Sequence, residues 1–255
     1  MLDQSKRFGR FTSSNIYKLL TVGKDKTQFG VPAKTYILEK QMELEFGRSI
    51  EKTTSSREME WGKLCESRVF NILPLTYVDM HDTTIQHPIY KSWAGSPDHI
   101  KETEIKKVAE TKCPFTHKSF YNLVVAFNKG GIEEVRKVHD SGEQYYQQCI
   151  SNAILTGRNK AELIVYMPYQ SELADIRLEA NNFGFTWVTY TADSDLPYLI
   201  DGGKFKNVNI LEFDIPQSDI DLMEDAVKRA ESILYPNGYL ATHDNETNAT
   251  IIEKI

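Results

Sequence analysis

Ser96-Pro97-Asp98, followed a dozen residues on from the Asp by Glu110-Thr111-Lys112-Cys113-Pro114, decides how the rest of the chain is read. In a β-strand, side chains at i and i+2 share a face. Glu110 and Lys112 therefore project together, with Val108 behind them. Thr111 points the other way, and its carbonyl stays near the same edge. If Asp98 closes a neighbouring strand, two carboxylates and a carbonyl converge on a hard, all-oxygen site suited to Mg²⁺ or Mn²⁺. The Lys112 ammonium beside it could hold or polarise a water, which is the equipment of metal-assisted phosphodiester hydrolysis. The same residues also fit a solvated strand face in a chain that is 26% charged, so the decision rests on the rest of the sequence.

The chain has 255 residues, 40% of them hydrophobic, enough for one large domain or two small ones with an ample core. No apolar run reaches 18 residues, so no membrane span is expected. Met1 to Arg10 is polar and lacks the apolar segment of a secretion signal, which points to the cytoplasm. Cys65, Cys113 and Cys149 lie far apart without a CxxC pair, as expected for reduced thiols and not for a zinc or iron–sulfur site. Asn245-Glu246-Thr247 and Asn248-Ala249-Thr250 match the glycosylation pattern but carry no weight without a secretion signal. A net charge of −6 counts against a uniformly basic nucleic-acid binder, though it leaves room for a basic channel on an acidic body. Neither GxxxxGK[ST] nor GxGxxG occurs, so nucleotide-fuelled and dinucleotide chemistry lack support.

Along the chain, Arg7 to Leu20 reads as a loop entering a helix capped by Thr12, Ser13 or Ser14. That start is either a phosphate site with a nearby Arg or simply a capped first helix. Val22 to Val31, with Lys24 and Lys26, reads as a mobile basic loop. A second helix follows from Pro32 to Phe46, stopped by Gly47. Ser55 to Leu73 is a third, with an apolar stripe of Met59, Gly62, Cys65, Val69, Phe70 and Leu73. Glu66 falls inside that stripe, as a metal ligand or as half of an ion pair at its edge. Strands are expected at Ile85–Tyr90, Gly95–Ile100 and Lys107–Cys113, the last stopped by Pro114. Thr116 to Phe127 is helical, ahead of a loop at Lys129-Gly130-Gly131. Ser141 caps a helix running to Thr156. On it Gln144, Gln148, Ser151 and Asn152 form a polar stripe that reads, unaided, as a solvated face, with Gln148 as the residue that could meet a substrate. Ala161–Met167 is a strand. Ser171 to Gly203 reads as irregular apart from a strand at Phe185–Thr191. Asn207–Phe213 is one more strand, and Pro216–Tyr235 an amphipathic helix. This order predicts an α/β (α+β) sandwich with a mixed central β-sheet flanked by helices. No linker interrupts residues 1–235, and 236–255 reads as a C-terminal tail.

Ser-Pro-Asp and Glu-x-Lys-Cys-Pro, preceded by a helix carrying Trp61-Gly62-Lys63 and Glu66, resemble the PD-(D/E)XK nucleases, and within them the YqaJ-type viral recombinase (lambda-exonuclease-like) family. Arg7-Phe8-Gly9 through Ser14, Gly130-Gly131-Ile132-Glu133 and Tyr145-Tyr146-Gln147-Gln148 follow in the family's order, so the resemblance covers most of the chain. It implies a restriction-endonuclease-like core. By the same resemblance Asp98, Glu110 and the Thr111 carbonyl bind the metal, and Glu66 completes the acidic set. Lys112 positions or activates the attacking water, and Gln148 supports the site. Arg7 and Ser14, with Ser96, receive a 5′-phosphate; Met59 wedges the terminal base pair; Lys24 touches the strand. The implied activity is Mg²⁺-dependent (Mn²⁺ also possible) 5′→3′ digestion of one strand of duplex DNA from its end. The implied partners are DNA ends, two further copies in a homotrimer ring, and a single-strand annealing recombinase. His99 departs from the family's usual Gly, which predicts an altered turn if that position needs positive φ. The segment from Ser171 to Asn209 has no clear counterpart. An endonuclease of restriction, repair or defence type, or a non-catalytic DNA-end binder, would share the metal residues or the fold.

Overall fold

The computed structural model describes residues 7–50 and 55–236. Numbered along the chain, the strands are β1 (Phe11–Thr12), β2 (Tyr77–Asp79), β3 (Ile85–Gln86), β4 (Trp93–Gly95), β5 (His99–Lys101), β6 (Lys107–Lys112), β7 (Lys160–Tyr166) and β8 (Val208–Asp214). The helices are α1 (Val31–Phe46), α2 (Arg57–Ile72), α3 (His117–Val138), α4 (Gly142–Leu155), α5 (Leu173–Phe183), α6 (Thr186–Tyr190) and α7 (Gln217–Leu234). Met1–Lys6, both glycosylation patterns and all of the expected tail except Pro236 lie outside the described residues.

A five-stranded mixed sheet, ordered β2-β5-β6-β7-β8, forms the centre. β6 and β7 are parallel and the other pairs antiparallel. A parallel pair needs a long crossover, and α3 and α4 supply it. Side chains alternate along these strands, so each faces two cores. Val108, Leu163, Val165, Leu211 and Phe213 pack with residues of α1, α3, α4 and α7. Ala109, Ile164 and Tyr166 pack with Trp61, Leu64, Cys65 and Val69 of α2 and with α5 and α6. A smaller sheet, ordered β1-β4-β3, lies beside the first. The mixed sheet flanked by helices is the architecture expected from the order of elements.

Several local expectations change. Gly95–Ile100 is not one strand: the chain leaves β4 in the small sheet, turns through Ser96-Pro97-Asp98, and enters β5 in the large one. Pro97 has no N–H to donate to a ladder, which suits it to the crossing. Ile85–Tyr90 keeps strand pairing only at β3, and Tyr77–Asp79 adds the edge strand β2. Phe185–Thr191 contains the short helix α6, and Ser171–Gly203 is built around α5. The aromatic and β-branched residues there look like strand formers, but they pack against α2 and α5, and burial overrides propensity. α3 runs on to Val138 through a kink at Gly130-Gly131, where Gly131 takes φ 65°. That is a conformation glycine adopts freely. The Arg7–Leu20 segment contributes β1 and a 3₁₀ turn at Ile16–Leu20 in place of a full helix. The basic loop is a turn closed by a Val22–Phe29 bridge, its Thr27 carbonyl accepting from Arg229 of α7.

Candidate active site

The register of the central sheet brings the two acids together. His99 pairs with Ala109 across β5 and β6, so Asp98 and Glu110 face one another one step further on, on a shared side. Asp98 Oδ2 accepts the Thr111 amide at 2.7 Å. Glu110 and Lys112 project together, as the two-residue spacing requires, and Lys112 Nζ donates to Glu110 Oε1 at 2.9 Å. Lys112 Nζ also donates to Gln148 Oε1 at 3.1 Å and sits 5.0 Å from the Tyr145 ring centre. Gln148 Nε2 donates to Glu110 Oε1, and Asn152 Nδ2 donates to Glu110 Oε2 at 2.9 Å. One turn of α4 thus holds both oxygens of the buried Glu110 carboxylate. Gly62, Glu66, Thr111, Lys112, Phe115 and Tyr145 border the cleft in front, of about 220 Å³.

The electrostatics match this crowding. Burial first and Asp98 second raise the Glu110 pKa to about 8, with Lys112 opposing the shift. Asp98 is pushed up to about 7 by burial and then by Glu66. Glu66, on α2, is raised to about 7 by burial, with Lys112 opposing and Glu110 adding to the shift. Burial works against the Lys112 ammonium, but Glu110, Asp98 and Glu66 outweigh it and hold its pKa above that of an ordinary lysine. Burying an ionised carboxylate costs several kcal/mol, whereas one buried aliphatic side chain contributes about 1.5–3 kcal/mol. This cluster therefore weakens the fold locally, and such arrangements concentrate at functional sites.

The residues fit a hard divalent cation. Two adjacent carboxylates and the Thr111 carbonyl form an oxygen-only donor set, and Mg²⁺ characteristically takes one or two carboxylates and keeps several waters. Among the described residues, no group of three His, Cys, Asp or Glu side chains is gathered closely enough to hold a metal by itself. Glu66 stands on the neighbouring helix, coupled to Asp98 and Glu110 through its charge.

The other expected residues divide. Ser14 and Ser96 lie two residues beyond the last parallel pair, Thr12 and Ala94, at one end of the small sheet. Ser14 Oγ is 3.4 Å from Thr12 Oγ1, and Ser96 Oγ is 3.1 Å from Thr84 Oγ1. Arg7 precedes a turn in which the Gly9 amide donates to the buried Glu43 carboxylate at 2.7 Å. Among the described residues, no hydrogen bond joins Arg7 to either serine. Met59 is about half exposed (52%), not part of a buried stripe. Lys24 is exposed on the turn that leans on α7. His99 has an ordinary negative φ. It is buried in β5, stacked on Phe70 at 5.7 Å, with its pKa lowered to about 4 by burial. The expected strained turn does not occur.

The polar stripe of α4 is a correction. Ser151 and Asn152 are fully buried. Ser151 Oγ is 2.8 Å from Ser13 Oγ and accepts Trp93 Nε1 at 2.9 Å. Gln144 Nε2 donates to the Ser14 carbonyl at 3.3 Å. The only trace of this in the sequence is the 144, 148, 151, 152 spacing, which also describes a solvated face.

The model of the YqaJ-like viral recombinase domain matches residues 4–159. The chain belongs to that family. No curated protein matches it in sequence. Among solved structures it is similar to an alkaline exonuclease (LHK-Exo) from Laribacter hongkongensis, with a TM-score of 0.57 and 15% identity over 96% of each chain. The same exonuclease in complex with dAMP gives a TM-score of 0.56 over 97% of each chain. A phage-related exonuclease from Haemophilus somnus 129PT gives 0.58 at 14% identity, over 88% of this chain and 93% of that one. These likenesses show the PD-(D/E)XK fold.

Proposed function

We propose that this family member is a Mg²⁺-dependent 5′→3′ exonuclease. It would resect one strand of linear duplex DNA from a 5′-phosphorylated end and leave a 3′ single strand for recombination by annealing. The observation that carries the reading is the Asp98–Glu110–Lys112 cluster, closed behind by Gln148 and open to a cleft in front. The dAMP complex of a protein of like fold adds support, since a deoxynucleoside monophosphate is what such an enzyme releases.

Asp98, Glu110 and the Thr111 carbonyl would hold the cation, with Glu66 completing the acidic set from α2. When bound, the cation lowers the pKa of a water and neutralises charge on the phosphate. Lys112 holds its proton against burial, so its part is to align a water and to attract the charge that develops on the phosphate oxygens. Gln148 ties Lys112 to Glu110 and fixes their separation. Ser14 and Ser96, with Arg7 brought in by the DNA, would receive the 5′-phosphate and set the register of the cut. Met59 would wedge the end and Lys24 would touch the backbone. We read 1–235 as one exonuclease domain that works in the cytoplasm as a ring of three copies. Topological closure would then keep an acidic protein on DNA and pass its product to an annealing recombinase.

The test is release of mononucleotides from linear duplex DNA with Mg²⁺, compared with EDTA and with Asp98→Asn and Glu110→Gln. Mg²⁺-dependent release that both substitutions abolish supports the proposal. Release that survives either substitution, or none from the wild type, refutes it.

A further inference from the structure

We propose that Asn152 is a positioning residue for Glu110, and that α4 is the frame joining the metal carboxylate to the turn that meets the DNA end. The inference rests on the exonuclease reading for its kinetics but not for its metal chemistry. Asn152 donates Nδ2–H to Glu110 Oε2 at 2.9 Å, while Gln148, one turn earlier, donates to Oε1. Two donors from one helix fix both the position and the plane of the carboxylate, and so decide which lone pairs remain for a cation beside Asp98.

Stability alone does not account for this asparagine. It is fully buried, and its Oδ1 has no hydrogen-bond partner among the described residues. An apolar side chain of the same size would avoid the cost of that unsatisfied atom, but would leave the buried Glu110 Oε2 without its donor. The neighbourhood is also shaped around it. A β-carbon at Gly95 would lie 2.8 Å from Asn152 Oδ1 and would overlap the Ser13 hydroxyl. The next residue on the helix, Ser151, carries the Ser13 and Trp93 hydrogen bonds, and Gln144 carries the one to the Ser14 carbonyl. A single helical face thus grips Glu110 and the Ser13-Ser14 turn together.

The experiment compares Asn152→Leu, close in size and without donors, with the wild type by three readouts: Mn²⁺ affinity by calorimetry, the kcat–KM split on a linear duplex, and the thermal midpoint. Loss of a partner that orients a metal ligand typically costs about 10–100-fold in metal affinity or activity. The expected result is a loss of that size in Mn²⁺ affinity and in kcat, with KM for the duplex unchanged; the midpoint reports only the balance between the relieved Asn152 Oδ1 and the Glu110 Oε2 left without its donor. A lowered midpoint with Mn²⁺ affinity and kcat within about twofold would overturn the proposal and leave Asn152 a packing residue. Asn152→Ala repeats the comparison if the leucine fails to fold. If the wild type binds Mn²⁺ but cleaves no DNA, the affinity change alone decides the role of Asn152, and the exonuclease reading fails separately.

Discussion

Without a divalent cation the protein should lose stability as the pH rises from about 4 to 8.5. Asp98, Glu110 and Glu66 all have pKa values raised above those of ordinary carboxyls, to between about 7 and about 8. A raised carboxyl pKa means that the folded state binds more protons than the unfolded chain. The stabilisation is fully present below the unfolded value near 4 and is lost as pH climbs through the folded value. Moving one carboxyl from 3.8 to about 7 corresponds to about 4 kcal/mol, at about 1.36 kcal/mol per pH unit. The three do not add, because a proton on one relieves its neighbours, so about 4 kcal/mol describes the whole cluster. In a domain of this size 1 kcal/mol moves the midpoint by about 2–4 °C, so a fall of about 10 °C is expected. The assay is scanning calorimetry in EDTA across that range, repeated with Mg²⁺ and with Asp98→Asn. Mg²⁺ should restore most of the loss above pH 7, where it takes the place of the protons. Asp98→Asn should flatten the profile by removing one of the repelling charges. A flat wild-type profile in EDTA, or an unchanged slope in Asp98→Asn, would refute the reasoning.

Other outcomes follow from the same geometry. Lys112→Ala should lower kcat by about 10²–10³-fold with KM little changed, and in EDTA at pH 8 its midpoint should fall below wild type because the carboxylates lose their counter-charge. Gly95→Ala should cost about 1–3 kcal/mol in urea unfolding, since the added methyl meets Ser13, Asn152 and Leu155; a neutral effect would show that the α4 contact is loose. His99→Gly should destabilise by about 3 kcal/mol through lost packing and strand entropy, and a change under about 1 kcal/mol would remove His99 from the core.

The sequence shows the parts of this fold whose pattern has one physical meaning. β6 was legible because Glu110 and Lys112 are two apart and Pro114 ends the run. α7 was legible from its apolar period, and α1 from the Pro32 start and the Gly47 stop, which takes φ 64°. Ambiguity entered where two structures share a pattern. Thr186-Trp187-Val188-Thr189-Tyr190 carries strand propensity, but its neighbours in space make it a helix. Ser96-Pro97-Asp98 sits between two short extended runs that read as one, and only tertiary pairing assigns them to different sheets. At the site, Glu110, Lys112 and Gln148 are joined by hydrogen bonds, and Asp98 accepts the Thr111 amide between them. Ser151 and Asn152 read as part of a solvated face because a polar helical stripe looks the same whether water or a buried carboxylate faces it.

The most direct trial is digestion of a linear duplex carrying a 5′-phosphate on one strand only, with Mg²⁺, beside the same DNA as a closed circle and beside Lys112→Ala. Loss of the phosphorylated strand alone, with the circle intact and the variant inactive, is the result that an end-resecting exonuclease built on Asp98, Glu110 and Lys112 requires. Cutting of the circle, or equal loss of both strands, would contradict it.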